Sequence, residues 1–354
     1  MLRKFLTSAI AMSLCVVSNA QDAKQDSAKA SSFTLSGSAD VYYRYNFNSP
    51  KENLFNNFTS FTNSHNSFEL GMASLKAEHS IGKVSMVADL GFGRRADEFS
   101  YNDEMTRLAI KQLYLSYAPS DKVKFTMGSW ATHVGYELVD AYLNRNYSMS
   151  YMFSYGPFFH TGIKADFAIG NKSSLMLGLV NPTDLKTASS MPKMFIAQYA
   201  TGTLDDKFKM YLNYQGGNAT DSGRLNQADV VLTYAVSDKF SLGYNGTVQS
   251  RQSKVAAKWS ESNSWWGSAL YVNLDPTDKF GLTLRGEYLS DNKNVLGFDS
   301  KMFETTLSAN FKIDNLTIIP ELRLDNSSKE IFTKSSGAAT KSTVSALLAA
   351  VYHF

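Results

Sequence analysis

Cysteine is nearly missing from this chain of 354 residues, with Cys15 the only one. In any form lacking residue 15, disulfides, thiolate metal centres and a thiol nucleophile are excluded. Charge is sparse too, at 19% of residues with a formal net charge of +3 at pH 7. That is too near neutrality to point to nucleic acid or an anionic surface as a partner. Leucine- and alanine-rich helical stretches are few, which argues against an ordinary α/β enzyme. Beyond the N-terminal segment there is no apolar run of roughly 18 residues, the length a membrane helix needs, and the mean hydropathy is −0.23. A helical membrane protein is thereby excluded. A transmembrane β-barrel escapes this test, because only alternate residues of its strands meet lipid.

What is present in quantity is β-forming: 23 Phe, 19 Tyr and 22 Gly, with many Ser, Thr and Asn in short alternating runs. At the N-terminus, Arg3 and Lys4 precede the apolar run Phe5 to Val17 and the small-residue ending Ser18-Asn19-Ala20. This pattern predicts a secretory signal peptide over residues 1–20, cleaved after Ala20. Leu14 before Cys15 is too large for a lipoprotein site. Cleavage removes Cys15 and the charges of Arg3 and Lys4, leaving a polar segment at 21–32 and the remainder at 33–354.

From Phe33 onward, sixteen segments alternate apolar and polar residues. They cover about 33–47, 67–79, 83–93, 107–118, 122–132, 158–170, 173–181, 193–201, 205–215, 226–237, 239–250, 261–275, 278–290, 302–313, 315–326 and 343–354. Most have the roughly 9 to 11 residues, or slightly more, that a tilted strand needs to cross a bilayer. Tight turns at Ile81-Gly82, Pro119-Ser120-Asp121, Asn171-Lys172, Asp238, Pro276-Thr277 and Asp314 are expected to alternate strictly with long connections such as 48–66, 94–106, 133–157 and 327–342. Loops segregated by length predict an all-β, membrane-spanning antiparallel barrel of about 16 strands, with short periplasmic turns and long extracellular loops. An even strand number brings both termini to the periplasmic rim and lets the barrel close.

In 302–313, Phe303, Leu307, Phe311 and Ile313 share a face opposite Glu304, Thr306, Ser308 and Lys312. The apolar face must point outward, because an unpaired charge near the bilayer midplane costs roughly 2 to 4 kcal/mol. The same logic places Arg44, Lys76, Lys111, Lys124, Lys164, Lys209, Arg285, Lys312 and Arg323 inside, with Asp40, Glu69, Glu78, Asp89, Asp166, Glu287, Glu304, Glu321 and Asp325. These side chains either line a permeation path or form cross-strand ion pairs that stiffen the wall. An interior polar along its whole length is expected to be hydrated. Pro320 predicts a bulge or a rim position, and Tyr43, Tyr45, Tyr117, Tyr199, Tyr288 and Tyr352 suit the interfacial girdles.

The connection 133–157 is unlike the rest, being rich in aromatic and apolar residues, among them Tyr136, Leu138, Val139, Tyr142, Tyr147, Tyr151 and Phe153. Such a surface must pack against something. The reading preferred here folds it into the lumen as a constriction carrying Glu137, Asp140 and Arg145; the alternative packs it on the rim or at a subunit contact. The last strand puts Val344, Ala346, Leu348, Ala350, Tyr352 and Phe354 on one face. It resembles the C-terminal signature of bacterial outer-membrane barrels, which implies recognition of Phe354 by their assembly machinery. Arg145-Asn146-Tyr147-Ser148-Met149-Ser150, Tyr155-Gly156-Pro157-Phe158, Thr161-Gly162 and the opening Gly37-Ser38-Ala39-Asp40-Val41-Tyr42 resemble the beta-barrel porin-2 family of Gram-negative outer-membrane proteins. Membership implies a pore-forming barrel, with no catalytic residues.

No metal-site spacing, nucleotide-binding glycine loop or nucleophile elbow accompanies the five histidines. No cofactor is expected. An outer-membrane hydrolase is the enzymatic alternative, yet its nearest pair, His160 and Asp166, would stand about 20 Å apart on one strand. An adhesin or structural barrel with a plugged lumen is the other. The expected function is passive diffusion of small hydrophilic solutes with weak charge selectivity, in the outer membrane and in contact with its lipid, as a monomer or a homotrimer.

Overall fold

The computed structural model describes residues 31–51 and 55–354. The expected signal peptide lies outside the described residues, as does the polar segment up to residue 30. Sixteen strands form the wall: β1 (Ser31–Asn46), β2 (Ser67–Ile81), β3 (Val84–Phe92), β4 (Ile110–Ser120), β5 (Val123–Ala131), β6 (Phe159–Ala168), β7 (Ser174–Val180), β8 (Met194–Gly202), β9 (Phe208–Asn218), β10 (Gly223–Ser237), β11 (Phe240–Val255), β12 (Asn263–Thr277), β13 (Phe280–Ser290), β14 (Lys301–Ile313), β15 (Leu316–Ser327) and β16 (Ser342–His353). Each pairs antiparallel with its neighbours in the chain, and β16 pairs with β1 from Ser38↔His353 to Asn46↔Ser345. The wall is therefore closed and leaves no strand edge unpaired in lipid. Phe354 completes the seam through two backbone hydrogen bonds with Gly37, at 2.9 and 3.1 Å.

Alternation along the strands sorts the side chains as the sequence requires. On β14, Phe303, Leu307 and Phe311 are exposed on the outer surface, while Glu304, Thr306 and Ser308 are buried within. Tyr117 and Tyr352 stand exposed near the periplasmic strand ends, as girdle residues do.

Four expectations are corrected. Long and short connections do not alternate strictly: β9 and β10 extend outward until only residues 219–222 join them. Pro276 and Thr277 belong to β12, and the turn falls instead on Asp278-Lys279. Pro320 makes no bulge, for the β14–β15 register is the same on both sides of it (Ser308↔Glu321, Phe311↔Ile318). The wall tolerates its missing N–H at one outward-facing position. At the start, β1 begins at Ser31 rather than Phe33, because Ser31 and Ser32 pair with Ile81 and Ser80.

The larger correction concerns the interior. It is packed over much of the extracellular half, where the long loops fold inward. Phe61 of loop 1 (47–66), Phe99 of loop 2 (93–109), and Val139, Met149, Phe153 and Phe158 of loop 3 (132–158) form one buried cluster with Phe159 of β6. A second cluster joins Tyr151 and Met152 to Trp265, Tyr271, Leu289 and Met302 of the wall. At about 1.5 to 3 kcal/mol per large apolar side chain buried, these clusters hold the loops inside.

Candidate functional site: a bridged lumen

Loop 3 leaves β5 and crosses to the far wall. The ring Nε2 of His133 lies 3.1 Å from the Tyr214 carbonyl oxygen, and the Gly135 N–H donates to Asp229 at 3.1 Å. The Tyr136 ring stacks on Tyr271 at 4.1 Å. Glu137 then meets Arg285 of β13 at 2.6 Å. The loop next leaves β12 and β13 for other parts of the wall, where Asp140 accepts from Lys111 of β4 at 2.5 Å and Tyr142 stacks on His353 of β16 at 5.1 Å. Arg145 returns to β12, with its guanidinium bidentate on Asp275 at 2.8 and 2.9 Å. Loop 3 thus contacts the wall at β4, β9, β10, β12, β13 and β16.

The remainder of the loop is held by its backbone. Glu321 accepts the N–H groups of Tyr147 and Ser148 at 2.8 and 3.2 Å. Glu287 accepts those of Tyr151 and Met152, both at 2.7 Å, at the start of a one-turn helix, Tyr151–Tyr155, whose Ser150 cap accepts from the Phe153 N–H. Those first-turn donors have no partner within the helix, so a carboxylate is the natural acceptor. Arg285 and Arg323 donate to the carbonyls of Ser148 and Met149, each at 2.7 Å. The Tyr147 and Tyr151 hydroxyls donate to Asp40 and Asp325. The inward charges of β13, β14 and β15 are therefore mostly a docking surface for loop 3, and cross-strand pairs such as Arg285 with Glu304 at 3.0 Å are secondary to it.

Each residue singled out from the sequence has a definite place. Glu137 and Asp140 are buried against the wall, and Arg145 alone of the three charges in loop 3 stays partly open to solvent. Asp40, Arg44, Arg285, Glu287, Glu304, Glu321 and Arg323 are inward and buried. Arg44 serves loop 1, donating to Ser64 and Phe55 carbonyls at 2.5 and 3.1 Å. Lys164, Asp166, Lys209 and Lys312 are inward and partly exposed. His160 and Asp166 do not pair: the His160 ring lies 5.0 Å from that of His133, and Asp166 accepts from Lys164 at 3.2 Å.

Sequence reasoning missed Arg95, Asp184, Asp229 and Asp275. Arg95 of loop 2 is fully buried between the rings of Phe61 and Tyr147, at 4.8 and 4.9 Å; only folding brings those rings to it. Asp275 was legible from the period-two continuation of β12. Asp184 of loop 4 (181–193) accepts the N–H groups of Phe158 and Phe159 at 2.7 and 3.0 Å and the Tyr101 hydroxyl at 3.2 Å. Burial pushes its carboxyl up to about 7 against those hydrogen bonds. Burial likewise pushes the His133 ring down to about 4, so it is neutral at pH 7. Asp184 closes one side of an extracellular cavity of about 430 Å³, lined also by Glu98, Tyr101, Tyr155, Gln249 and Arg251.

Solved outer-membrane proteins share this architecture. The outer membrane channel DcaP of Acinetobacter baumannii aligns with a TM-score of 0.63 at 12% identity, covering 92% of this chain and 97% of its own. An anion-selective porin from Comamonas acidovorans gives 0.60 at 10%, covering 92% and 100%. Salmonella typhi OmpF, in complex with daunomycin, gives 0.59 at 11%, covering 91% and 97%. At such identities the likeness is one of fold. No curated protein matches the chain. The family model described as "Putative beta-barrel porin-2, OmpL-like" matches residues 32–354, nearly all of the wall and every loop named above, and the chain belongs to that family of outer-membrane barrels.

Proposed function

We propose that this porin-family barrel gives passive diffusion of small hydrophilic solutes across the Gram-negative outer membrane, with loop 3 as its constriction. The observation that carries the reading is a closed sixteen-strand wall in which inward lysines and carboxylates of the periplasmic half stay partly exposed to solvent. Barrels of this strand number leave room for an aqueous channel. The inward strand charges read from the sequence are balanced, nine cations against nine carboxylates, which by itself supports only weak selectivity. Export with cleavage after Ala20, recognition of Phe354 by the assembly machinery, and a homotrimer in contact with lipid complete the proposal.

Purified protein in a planar bilayer is expected to give discrete conductance steps. Deleting residues 137–146 is expected to raise the step size while the barrel still shows a heat-dependent shift in gel mobility, since the loop adds nothing to the closed ladder. Silent membranes from a correctly shifting barrel would favour the plugged-lumen reading, for which the bridging path of loop 3 provides a ready plug.

A further inference from the structure

We infer that the periplasmic half of the lumen is a cationic throat, set by Lys124 and Lys209 together with Arg145 and Lys312, through which small anionic solutes pass more readily than cations of equal size. The inference rests on the channel reading above and concerns what that channel selects.

The nine cations and nine carboxylates read from strand alternation balance only as a sequence count; the structure adds further inward carboxylates, and burial separates those that meet water from those that do not. Asp40, Asp89, Glu137, Glu287, Glu304, Glu321 and Asp325 are all at most 5% exposed. Their oxygens face guanidinium and ammonium groups or the loop 3 N–H groups described above. Asp140, little more exposed, is held by Lys111. Asp229 is closed in the same way by the amides of Asn213 and Asn245 and the Gly135 N–H. The acids are thus largely engaged in docking the loop.

A different set meets water. On the periplasmic half, the inward-facing strand carboxylates with appreciable exposure are Glu78, Asp166 and Asp275, and each is already paired. Glu78 lies 2.9 Å from Lys76 and Asp166 3.2 Å from Lys164. Asp275 holds both Arg145 at 2.8 Å and Lys312 at 3.8 Å. Lys124 and Lys209 have no carboxylate within ion-pair distance among the described residues, although Asp166 faces Lys124 across the β5–β6 pair. Each of Lys124, Lys209 and Lys312 stands one residue from the periplasmic end of its strand, on β5, β9 and β14, with its side chain inward by alternation. The six turn lysines and six turn aspartates at the periplasmic rim cancel, and among the inward-facing groups of the strands and loop 3 the water-facing balance is six cations against three carboxylates, a surplus of positive charge where Arg145 brings loop 3 down to the wall.

Charge of one sign on the low-dielectric walls of a narrow passage focuses its potential along the path. A mean potential of about one kT per unit charge enriches anions over cations roughly sevenfold, and 0.1 M salt, with a screening length of about 10 Å, does not abolish it.

Planar-bilayer reversal potentials under a potassium chloride gradient test the inference. The wild-type protein is expected to prefer chloride. The double variant Lys124→Glu/Lys209→Glu turns the surplus into a deficit and is expected to reverse that preference. Lys254→Glu, on the exposed outer extension of β11, is expected to leave it unchanged, and the gel-mobility shift verifies that each variant has folded. Conducting channels with a chloride-to-potassium ratio at or below one, or a double variant with the wild-type ratio, would overturn the inference and leave the porin reading standing. A barrel that folds and does not conduct would overturn both.

Discussion

Replacing Arg285 by leucine removes the most connected group in the lumen. Its guanidinium reaches Glu137 at 2.6 Å, the Ser148 carbonyl at 2.7 Å and Glu304 at 3.0 Å, with no solvent exposure. Removal leaves two carboxylates and a carbonyl buried with fewer donors, and breaking a buried ion pair from one side costs about 3 to 5 kcal/mol. The wall hydrogen bonds of β13 are made by its backbone with Tyr271 and Thr306 as register partners, so the leucine does not disturb them. The cost falls on the docking of loop 3. At about 1.4 kcal/mol per tenfold, the undocked population is expected to rise by roughly two to three and a half orders of magnitude. Amide hydrogen exchange across Ser148 to Phe153 would accelerate accordingly, and single-channel records would show larger or fluctuating steps while the heat-dependent gel shift persists. Adding Glu137→Gln to the variant is expected to return part of the loss, because it withdraws one stranded charge. If Arg285→Leu changed exchange in loop 3 by less than a few fold, the charges would be incidental to docking and the apolar clusters would hold the loop alone.

Two further outcomes are expected. Asp184 binds a proton in the folded loop up to about pH 7 that an unfolded loop would release near its ordinary value of about 4. Docking of loop 4 on Phe158 and Phe159 is therefore strongest below pH 4, weakens as pH rises to 7 and is level above that. Exchange of those two amides, corrected for intrinsic rate, is expected to follow this profile and to lose it in Asp184→Asn. Gly128 has a φ of +135°, and a Cβ there would lie 2.2 Å from the Leu113 carbonyl oxygen. Gly128→Ala is thus expected to destabilise the barrel by about 2 kcal/mol or more, read as a lower temperature for the gel-mobility shift. Gly286→Ala, with nothing within 4 Å of its Cβ, leaves that temperature unchanged.

The wall was legible in the sequence because its two constraints are local. A strand in lipid must alternate, and a hairpin must turn, so sixteen runs and most of the turns could be read from neighbouring residues. Most of the inward charges followed from the period of two as well, although Asp229 and Asp275 were passed over. What each inward charge does could not be read, because partners such as Glu321 and Tyr147, or Arg285 and Glu137, are more than a hundred residues apart. Composition identified loop 3 as a segment in need of something to pack on, and only the closed barrel supplied the surface. Arg95 shows the limit most plainly, since nothing near it in the chain announces a buried guanidinium. The division of the lumen into buried acids and water-facing lysines is likewise a tertiary property: alternation decides the face of a strand that a charge occupies, and the path of a loop folded across the lumen decides whether that charge meets water.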